Sequence, residues 1–182
     1  MPTVITHGLV AAALGKVFAS GRMPVRFWEL SVLCAVLPDA DVIAFRLGIP
    51  YEDMLGHRGL SHSLVFALLL SLMVVFTAFR RVPEGWGKAL LIFYFFIVTA
   101  SHGVLDAMTD GGLGVAFFAP FDDTRYFFPF HPIHVSPIGR NFFSERGLEV
   151  VLSEFVWVWI PTLAFLGAVL LYRNRRAKAR EP

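Results

Sequence analysis

Three long apolar segments constrain the fold of this chain more than any other feature. They run from Leu60 to Phe79, from Ala89 to Met108 and from Leu148 to Tyr172. The hydrocarbon core of a bilayer is about 30 Å thick, so a helix that spans it needs about 20 apolar residues. Backbone N–H and C=O groups must be paired within such a segment. We therefore predict three membrane-spanning α-helices.

Two further segments, Val4–Phe18 and Phe27–Phe45, are apolar but shorter or more polar. Core helices of a soluble protein are the alternative interpretation for these two. The composition favours the membrane, because 56% of the residues are hydrophobic, against about 45–50% in ordinary soluble domains. We predict an all-α integral membrane bundle of about five transmembrane helices. Residues 1–172 form its single membrane-embedded domain, and residues 173–182 form a basic cytoplasmic tail.

Charge and cysteine content exclude several functional classes. The formal net charge of +2 does not favour nucleic-acid binding. The single cysteine, Cys34, excludes an internal disulfide and a cysteine-based zinc finger. Any bound metal ion must therefore be held by histidine and carboxylate side chains. Because the chain is so apolar, the expected partner is membrane lipid.

The basic residues predict the orientation of the helices, since Lys and Arg collect in cytoplasmic loops near membrane ends. Eleven of the 16 basic residues lie at the end of the first segment or just after it, join the third to the fourth, or follow the fifth. They are Lys16, Arg22, Arg26, Arg80, Arg81, Lys88, Arg173, Arg175, Arg176, Lys178 and Arg180. This distribution predicts a multi-pass protein of the cytoplasmic (inner) membrane with its amino terminus outside and its carboxyl terminus inside.

The same orientation brings polar residues from four helix ends to the extracytoplasmic side. The candidate metal ligands among them are His7, Asp39, His57, His62, His102, Asp106 and Asp110. Because only the basic residues were used to orient the helices, this convergence is independent support for a site.

The most specific motif places His102, Asp106 and Asp110 at intervals of four residues. On an α-helix these side chains form one stripe. An imidazole and a carboxylate at this spacing can bind one divalent ion, as in helical zinc motifs. The alternative is that both acids are solvated at a helix end and His102 is a hydrogen-bonded interior group. Ionisable groups within membrane segments usually mark function, which favours the metal site.

A second motif, HRGLSHS, precedes a strongly apolar helix. His57 and His62 can both reach one cavity. Between them, the Arg58 guanidinium suits a phosphate or a carboxylate, and an interfacial headgroup contact is an equal alternative. Ser61 and Ser63 are predicted to cap the following helix.

A third motif is Leu37-Pro38-Asp39-Ala40-Asp41. Acids two residues apart do not share a helix face, so a distortion at Pro38 is expected if both contact a metal ion. Asp39 is the preferred ligand. Asp41 is a second ligand, a partner that orients a histidine, or a charge at a helix end. His7 lies at a similar predicted depth.

Mixed imidazole and carboxylate ligands suit Zn²⁺, with Mn²⁺ or Fe²⁺ as alternatives. One or two ions are expected. A bound divalent ion lowers the pKa of its water toward about 7 and polarises the bond under attack, so hydrolysis of a phosphate ester is the predicted chemistry. Asp39, His62 and Arg58 are the predicted catalytic residues.

These motifs resemble the YdjM-like family of small membrane proteins. The resemblance covers about residues 1–150 and rests on Thr6-His7, residues 37–41, residues 57–63 and His102-Gly103-Val104-Leu105-Asp106. It implies a metal-dependent hydrolase of the inner membrane. The order of ligands is also similar to that of zinc-dependent phospholipase C. That similarity implies a ligand set of His7, Asp39, His62 or His57, His102 and Asp106, with Asp106 bridging two ions.

The chain departs from phospholipase C because it has no later His-x-x-x-Glu pair. A third ion is therefore not expected, and the sequence does not assign His131, His134 or Glu145 to the site.

Residues 117–130 form a segment that is dense in aromatic residues and broken by prolines. Aromatic rings favour the membrane interface. The segment is predicted to cover the metal site and to admit a lipid or lipid-linked substrate. Arg125, Arg140 and Arg146 are then available for an anionic headgroup. Packing of the rings on the helix bundle is the alternative.

The predicted function is that of a metal-dependent hydrolase acting on a lipid at the outer membrane face. A transporter or metal-ion sensor that uses the same residues is one alternative, and a non-catalytic membrane scaffold is another. The sequence leaves the oligomeric state open.

Overall fold

The all-α prediction is confirmed. The computed structural model describes residues 1–19, 21–82, 86–137 and 142–179. Within these ranges the regular structure is helical, apart from two isolated β-bridges that join Thr109 to Ile133 and Val115 to Tyr126. The α-helices are α1 (Val4–Phe18), α2 (Val25–Val36), α3 (Ile43–Arg46), α4 (Leu64–Ala78), α5 (Lys88–Ala107), α6 (Glu145–Glu154) and α7 (Ile160–Lys178).

Proline divides the predicted Phe27–Phe45 helix. Helix α2 ends at Val36 and a 3₁₀ helix, Leu37–Val42, follows it with Pro38 in its first turn. Proline has no N–H and its ring disfavours a continuing α-helix. The predicted distortion at Pro38 is confirmed, and it turns the acidic residues that follow away from the axis of α2.

Helices α1 and α4 each begin with a side-chain cap at the polar end of the bundle. The hydroxyl of Thr3 accepts from the N–H of Thr6 at 3.4 Å at the start of α1. The hydroxyl of Ser63 accepts from the N–H of Phe66 at 3.1 Å at the start of α4. Such caps satisfy backbone donors that have no partner within the helix. The predicted cap at Ser63 is confirmed.

An aromatic core joins α2, α4 and α5 at the opposite end of the bundle. The ring of Phe27 stacks on Tyr94 with centroids 4.7 Å apart and meets the Phe95 ring edge-on at 5.9 Å. Val75 and Leu91 are fully buried beside them. Burial of a side chain of this size stabilises the fold by about 1.5–3 kcal/mol. This core holds the helices together without using any of the predicted metal ligands.

Helix α6, a π-helical turn from Phe155 to Trp159, and α7 form one continuous helix, Glu145–Lys178. Among its described residues, α7 buries no side chain. The helix is attached to α1 at two levels. The indole N–H of Trp159 donates to the Thr6 hydroxyl at 2.6 Å, and Arg173 donates to the carbonyl of Lys16 at 3.1 Å. One side of α7 therefore lies along α1, and the rest is exposed, as a lipid-facing helix would be.

Two described helices, Lys88–Ala107 and Glu145–Lys178, are long and apolar enough to cross a membrane. Helices α1 and α4 are also apolar but contain only 15 residues each, so the span predicted from Leu60 to Phe79 is shorter than expected. The count of five transmembrane helices, their direction, and the boundary between domain and tail stay predictions.

Candidate metal centre

Four buried side chains from three parts of the chain meet at the polar end of the bundle. Asp39 comes from the 3₁₀ helix after α2, His62 from the turn before α4, and His102 and Asp106 from successive turns of α5. We call these residues the four-residue cluster. Each offers one ligand atom, and all four atoms lie within 4.8 Å of one another.

The distances within the four-residue cluster fit one small divalent ion. The Nε2 atoms of His62 and His102 are 3.1 Å apart, and His102 Nε2 lies 3.2 Å from Asp39 Oδ1. His62 Nε2 lies 3.5 Å from Asp106 Oδ2 and 3.7 Å from Asp39 Oδ1. In a tetrahedral zinc site with bonds of about 2.0–2.1 Å, neighbouring ligand atoms are about 3.4 Å apart. The observed separations lie on both sides of that value.

Hydrogen bonds at the far side of each imidazole determine which nitrogen faces the centre. His102 Nδ1 lies 2.7 Å from the carbonyl oxygen of Ala35, which can only accept. His62 Nδ1 lies 3.0 Å from the Ser61 hydroxyl, and that hydroxyl donates its single proton to Asp41 at 2.6 Å. Both rings therefore donate from Nδ1 and keep the Nε2 lone pair. Two lone pairs that face each other at 3.1 Å need a cation between them, either a metal ion or a shared proton.

The carboxylates support the metal ion over the proton. Both oxygens of Asp39 and both oxygens of Asp106 are buried without a hydrogen-bond partner among the described residues. A buried carboxylate that accepts no hydrogen bond is costly, although Asp106 is also ion-paired with Arg58. A divalent ion would satisfy an oxygen of each, and a donor set of two imidazoles and two carboxylates is chemically suited to Zn²⁺, Mn²⁺ or Fe²⁺.

Asp41 lies behind the histidines. Its carboxylate accepts from His57 Nδ1 at 2.6 Å, from the Ser61 hydroxyl at 2.6 Å and from the backbone N–H of Arg58 at 3.1 Å. His62 Nδ1 lies 3.1 Å from the same carboxylate. This geometry is compatible with two of the three interpretations open for Asp41, a partner that orients a histidine and a second ligand. The His57 imidazole lies on Asp41 outside the four-residue cluster, but Asp41, His57 and His62 form a second group whose ligand atoms lie within 4.8 Å of one another and could hold a metal ion. The contact with Asp41 also gives Ser61 a role other than a helix cap.

Arg58 is turned into the protein. Its Nε lies 3.0 Å from Asp106 Oδ2 as an ion pair, although the N–H is not directed at that oxygen. One terminal nitrogen donates to the Gly111 carbonyl at 2.8 Å and the other to the Thr109 hydroxyl at 3.0 Å. The residue is buried and has a φ of 62°, a left-handed conformation that costs a non-glycine residue of order 1–3 kcal/mol. These contacts indicate that Arg58 positions Asp106, in place of the headgroup contact considered from the sequence.

His7 lies beside the four-residue cluster as a third imidazole. Its ring stacks on His102 with centroids 3.9 Å apart, and its Nε2 lies 3.8 Å from Asp106 Oδ1. The side chain is buried, and neither ring nitrogen has a hydrogen-bond partner within the described structure. His7 therefore faces the side of Asp106 opposite to Arg58.

The predicted helical stripe through Asp110 is wrong. Helix α5 ends at Ala107, whose carbonyl accepts from the N–H of Phe128, so the chain has left the helix before Asp110. The carboxylate of Asp110 accepts from His134 Nδ1 at 2.6 Å and from the N–H of Val135 at 2.8 Å. Although burial raises the pKa of Asp110, these hydrogen bonds lower it below the usual value. The structure places Asp110 with His134, outside the four-residue cluster.

The aromatic segment 117–130 both packs on the bundle and exposes rings. The start of its backbone is held by a hydrogen bond from the N–H of Leu64 to the Phe117 carbonyl, and the preceding residue, Ala116, donates its N–H to the Arg58 carbonyl. The rings of Phe121 and Phe130 remain exposed. Exposed rings, as expected of a segment at the membrane interface, and packing on the helix bundle are therefore both present.

The arginines proposed for an anionic headgroup differ in their surroundings. Arg125 donates to the carbonyls of His57 and Tyr51 at 2.9 and 2.8 Å. Arg146 is half exposed and lies 3.2 Å from Glu149. Arg140 lies outside the described residues. His131 packs against Phe127, and Glu145 begins α6.

One buried acid was missed by the sequence analysis. Glu154 is fully buried, and its carboxylate accepts from the N–H of Thr3 at 2.5 Å and from the hydroxyls of Thr3 and Thr6 at 2.6 and 2.5 Å. Its position inside the apolar segment Leu148–Tyr172 was the available signal. Glu154 holds the first turn of α1 directly before His7.

A sequence profile described as "YdjM inner membrane protein" matches residues 1–177. The chain belongs to the YdjM family. Inner membrane protein YbcI of Escherichia coli K12 is 39% identical over 179 residues, covering 96% of this chain and all of the relative. Inner membrane protein YdjM of the same organism is 31% identical over 169 residues, covering 82% of this chain and 74% of the relative. No solved structure matches.

The family assignment confirms the resemblance to YdjM-like proteins and extends it over the last helix. This YdjM family member is a membrane protein, and its relatives bear the name of inner membrane proteins. Those names state no enzymatic activity. The comparisons do not show the similarity to zinc-dependent phospholipase C, which stays a prediction.

Proposed function

We propose that this protein is a membrane-bound, metal-dependent hydrolase that cleaves a phosphate ester of a lipid or lipid-linked substrate at the outer membrane face. The observation that carries the proposal is the pair of facing Nε2 atoms of His62 and His102, 3.1 Å apart beside two buried carboxylates that accept no hydrogen bond from the described residues. Such a set needs a cation. When bound, a divalent ion supplies an activated water near neutral pH and polarises the bond under attack.

The residues of the chain would then act by orientation. Asp41 and the Ala35 carbonyl hold the two imidazoles so that both Nε2 atoms face the centre. Arg58 holds the Asp106 carboxylate from one side. His7 faces the same carboxylate from the other side with both ring nitrogens free of hydrogen bonds to described residues. A site held in this way needs little reorganisation when substrate binds.

A lipid substrate is supported by the surface at this end of the molecule. Phe118, Phe121 and Phe130 lie in the segment after the cluster and are 50%, 86% and 57% exposed. Exposed aromatic rings are typical of the interface between lipid and water. A lipid headgroup at this interface would lie level with the polar end of the bundle.

The proposal is tested on the full chain purified in mild detergent. Elemental analysis should find Zn, Mn or Fe, and a screen of lipid phosphates should show turnover that chelator abolishes. Asp106→Ala and His102→Ala should lose both metal and turnover, whereas Asp123→Ala and His131→Ala, at exposed positions, should retain both. Turnover that survives loss of the metal ligands would contradict the assignment.

A structural metal site in a non-catalytic scaffold is the second candidate. Four protein ligands complete a tetrahedral shell, and zinc sites without an open position are usually structural. This candidate predicts that chelation lowers thermal stability while no substrate in the screen is turned over. Transport is less favoured because the described bundle beyond the cluster is filled by the apolar core around Phe27, Leu91 and Phe95.

A further inference from the structure

An apolar cleft with a volume of about 280 Å³ separates α1 from α7. One wall is α1 between Val10 and Val17, and the other is α7 between Pro161 and Phe165. None of the side chains that line it is charged, and Thr162 is the single polar one. The cleft thus lies between the first helix and the most lipid-exposed helix of the molecule.

Polar contacts attach the two helices above and below this cleft. Glu154 accepts hydrogen bonds from Thr3 and Thr6 at the amino end of α1. Arg173 donates to carbonyls at the carboxyl end of α1, including those of Lys16 and Val17. Each charge complements the helix dipole of α1 at its end. The cleft is therefore enclosed by two specific attachments and is not simply the edge of a loosely packed helix.

The two attachments are separated by different lengths of helix in α1 and in the last helix. From Thr6 to Lys16, α1 advances about 15 Å, whereas from Trp159 to Arg173 the last helix advances about 20 Å, at about 1.5 Å per residue. Both pairs are joined by hydrogen bonds. The cleft lies between these two attachments.

The environment decides what can fill the cleft. Protein interiors are close-packed, and an apolar cavity stays dry. Beside a helix as apolar and as exposed as Glu145–Lys178, the available apolar filler is a lipid hydrocarbon chain. Val10 follows His7 by one turn, about 4.5 Å along α1. One end of the cleft therefore lies about one turn of α1 from His7, beside the hydrogen bond between Trp159 and Thr6.

We propose that the cleft between α1 and α7 binds the hydrocarbon chain of a lipid whose headgroup lies at the four-residue cluster. The inference rests on the proposed function for its headgroup end and names the substrate class, a long-chain lipid ester in place of a small water-soluble one. The cleft is the subsite for the tail.

The experiment uses the full chain in phospholipid nanodiscs that contain a phospholipid with a diazirine on one acyl chain. After irradiation, mass spectrometry should place crosslinks in residues 10–17 and 161–165. Ala13→Phe, which fills the cleft, should reduce these crosslinks by about tenfold or more, since each excluded methylene weakens apolar binding several-fold. Ala12→Phe is the matched control, because Ala12 is the neighbouring residue of the same helix turn and is exposed outside the cleft, whereas Ala13 is buried. The control should crosslink like the wild type.

Thr162→Phe fills the cleft from the other wall and serves if Ala13→Phe does not fold. Metal content of each variant, unchanged from the wild type, reports an intact cluster. Wild-type levels of crosslinking in both filled variants would overturn the proposal, as would crosslinks from the cleft to a second copy of the chain. Crosslinks in the cleft without hydrolysis of any lipid support the tail subsite and contradict the hydrolase. Long-chain turnover that is equal in Ala13→Phe and Ala12→Phe supports the hydrolase and overturns the tail subsite.

Discussion

At the scale of single residues, contacts with Asp41 orient the imidazole rings of His57 and His62. Its carboxylate accepts from His57, from Ser61 and from the Arg58 backbone, and it lies 3.1 Å from His62 Nδ1. A carboxylate behind a metal-binding histidine fixes its tautomer and raises its basicity. We therefore expect Asp41 to support the site by orienting His62, while Asp39, two residues earlier, lies in the four-residue cluster.

Asp41→Asn should weaken metal binding with little loss of folded protein. The amide keeps one acceptor but loses the negative charge and presents N–H groups to donors that need an acceptor. Loss of such a partner typically lowers metal affinity by about 10–100-fold. Competition with a chromophoric chelator measures the change, and Asp123→Asn, at an exposed position, is the control. Equal affinities of Asp41→Asn and the control would exclude this role.

At the scale of helices, the last helix depends on side-chain contacts at its two ends more than on burial. Among its described residues, α7 buries no side chain, yet Arg173 donates to the carbonyls of Lys16, Val17 and Ala19. The carbonyls of Lys16 and Val17 are among the acceptors that every helix leaves unpaired at its carboxyl end. The guanidinium caps this end together with the N–H of Ala19, which donates to the Gly15 carbonyl.

Arg173→Met should loosen the junction between α1 and α7 without unfolding the protein. The three carbonyls lose a charged donor, and hydrogen bonds to charged groups contribute about 1.5–3 kcal/mol. Hydrogen–deuterium exchange should become faster in the last turn of α1 and in the facing part of α7. Arg175→Met, at an exposed position two residues later in the same helix, is the control. If the two variants exchange alike, Arg173 does not hold the helices together.

At the scale of the molecule, charge balance sets the number of ions in the resting site. Asp39, Asp41 and Asp106 contribute three negative charges, and Arg58 contributes one positive charge at the same end of the bundle. With neutral histidines, one divalent ion makes this buried site neutral. A second ion would leave two uncompensated positive charges in a medium where isolated charge is costly.

Elemental analysis should therefore find one divalent ion per chain in the absence of substrate. Removal by chelator should lower the midpoint of thermal unfolding, because an ion present at 100 times its Kd adds about 2.7 kcal/mol of stability. Restoring the ion should restore the midpoint. Two ions per chain without substrate, or a midpoint that ignores chelation, would contradict this charge count.

Local rules in the sequence predicted the helices and the polar end. Apolar length gave the positions of α1, α4, α5 and the last helix, and Pro38 gave the break after α2. The distribution of basic residues along the chain placed His7, Asp39, His62, His102 and Asp106 at one end of the bundle, together with His57 and Asp110, which lie outside the four-residue cluster. These features depend on neighbours within a few residues or on burial, which the sequence displays directly.

Only the tertiary structure decided how these side chains are used. His102 keeps its Nε2 lone pair because its Nδ1 donates to a carbonyl 67 positions earlier in the chain. Asp110 lies outside the cluster because α5 ends at Ala107, whose carbonyl accepts from the N–H of Phe128. The Arg58 side chain is buried because it donates to Thr109 and Gly111. Glu154 matters because packing brings Thr3 and Thr6 to it. Hydrogen bonds between distant elements are short-ranged and directional, so they are determined by the packing of the helices and not by spacing along the chain.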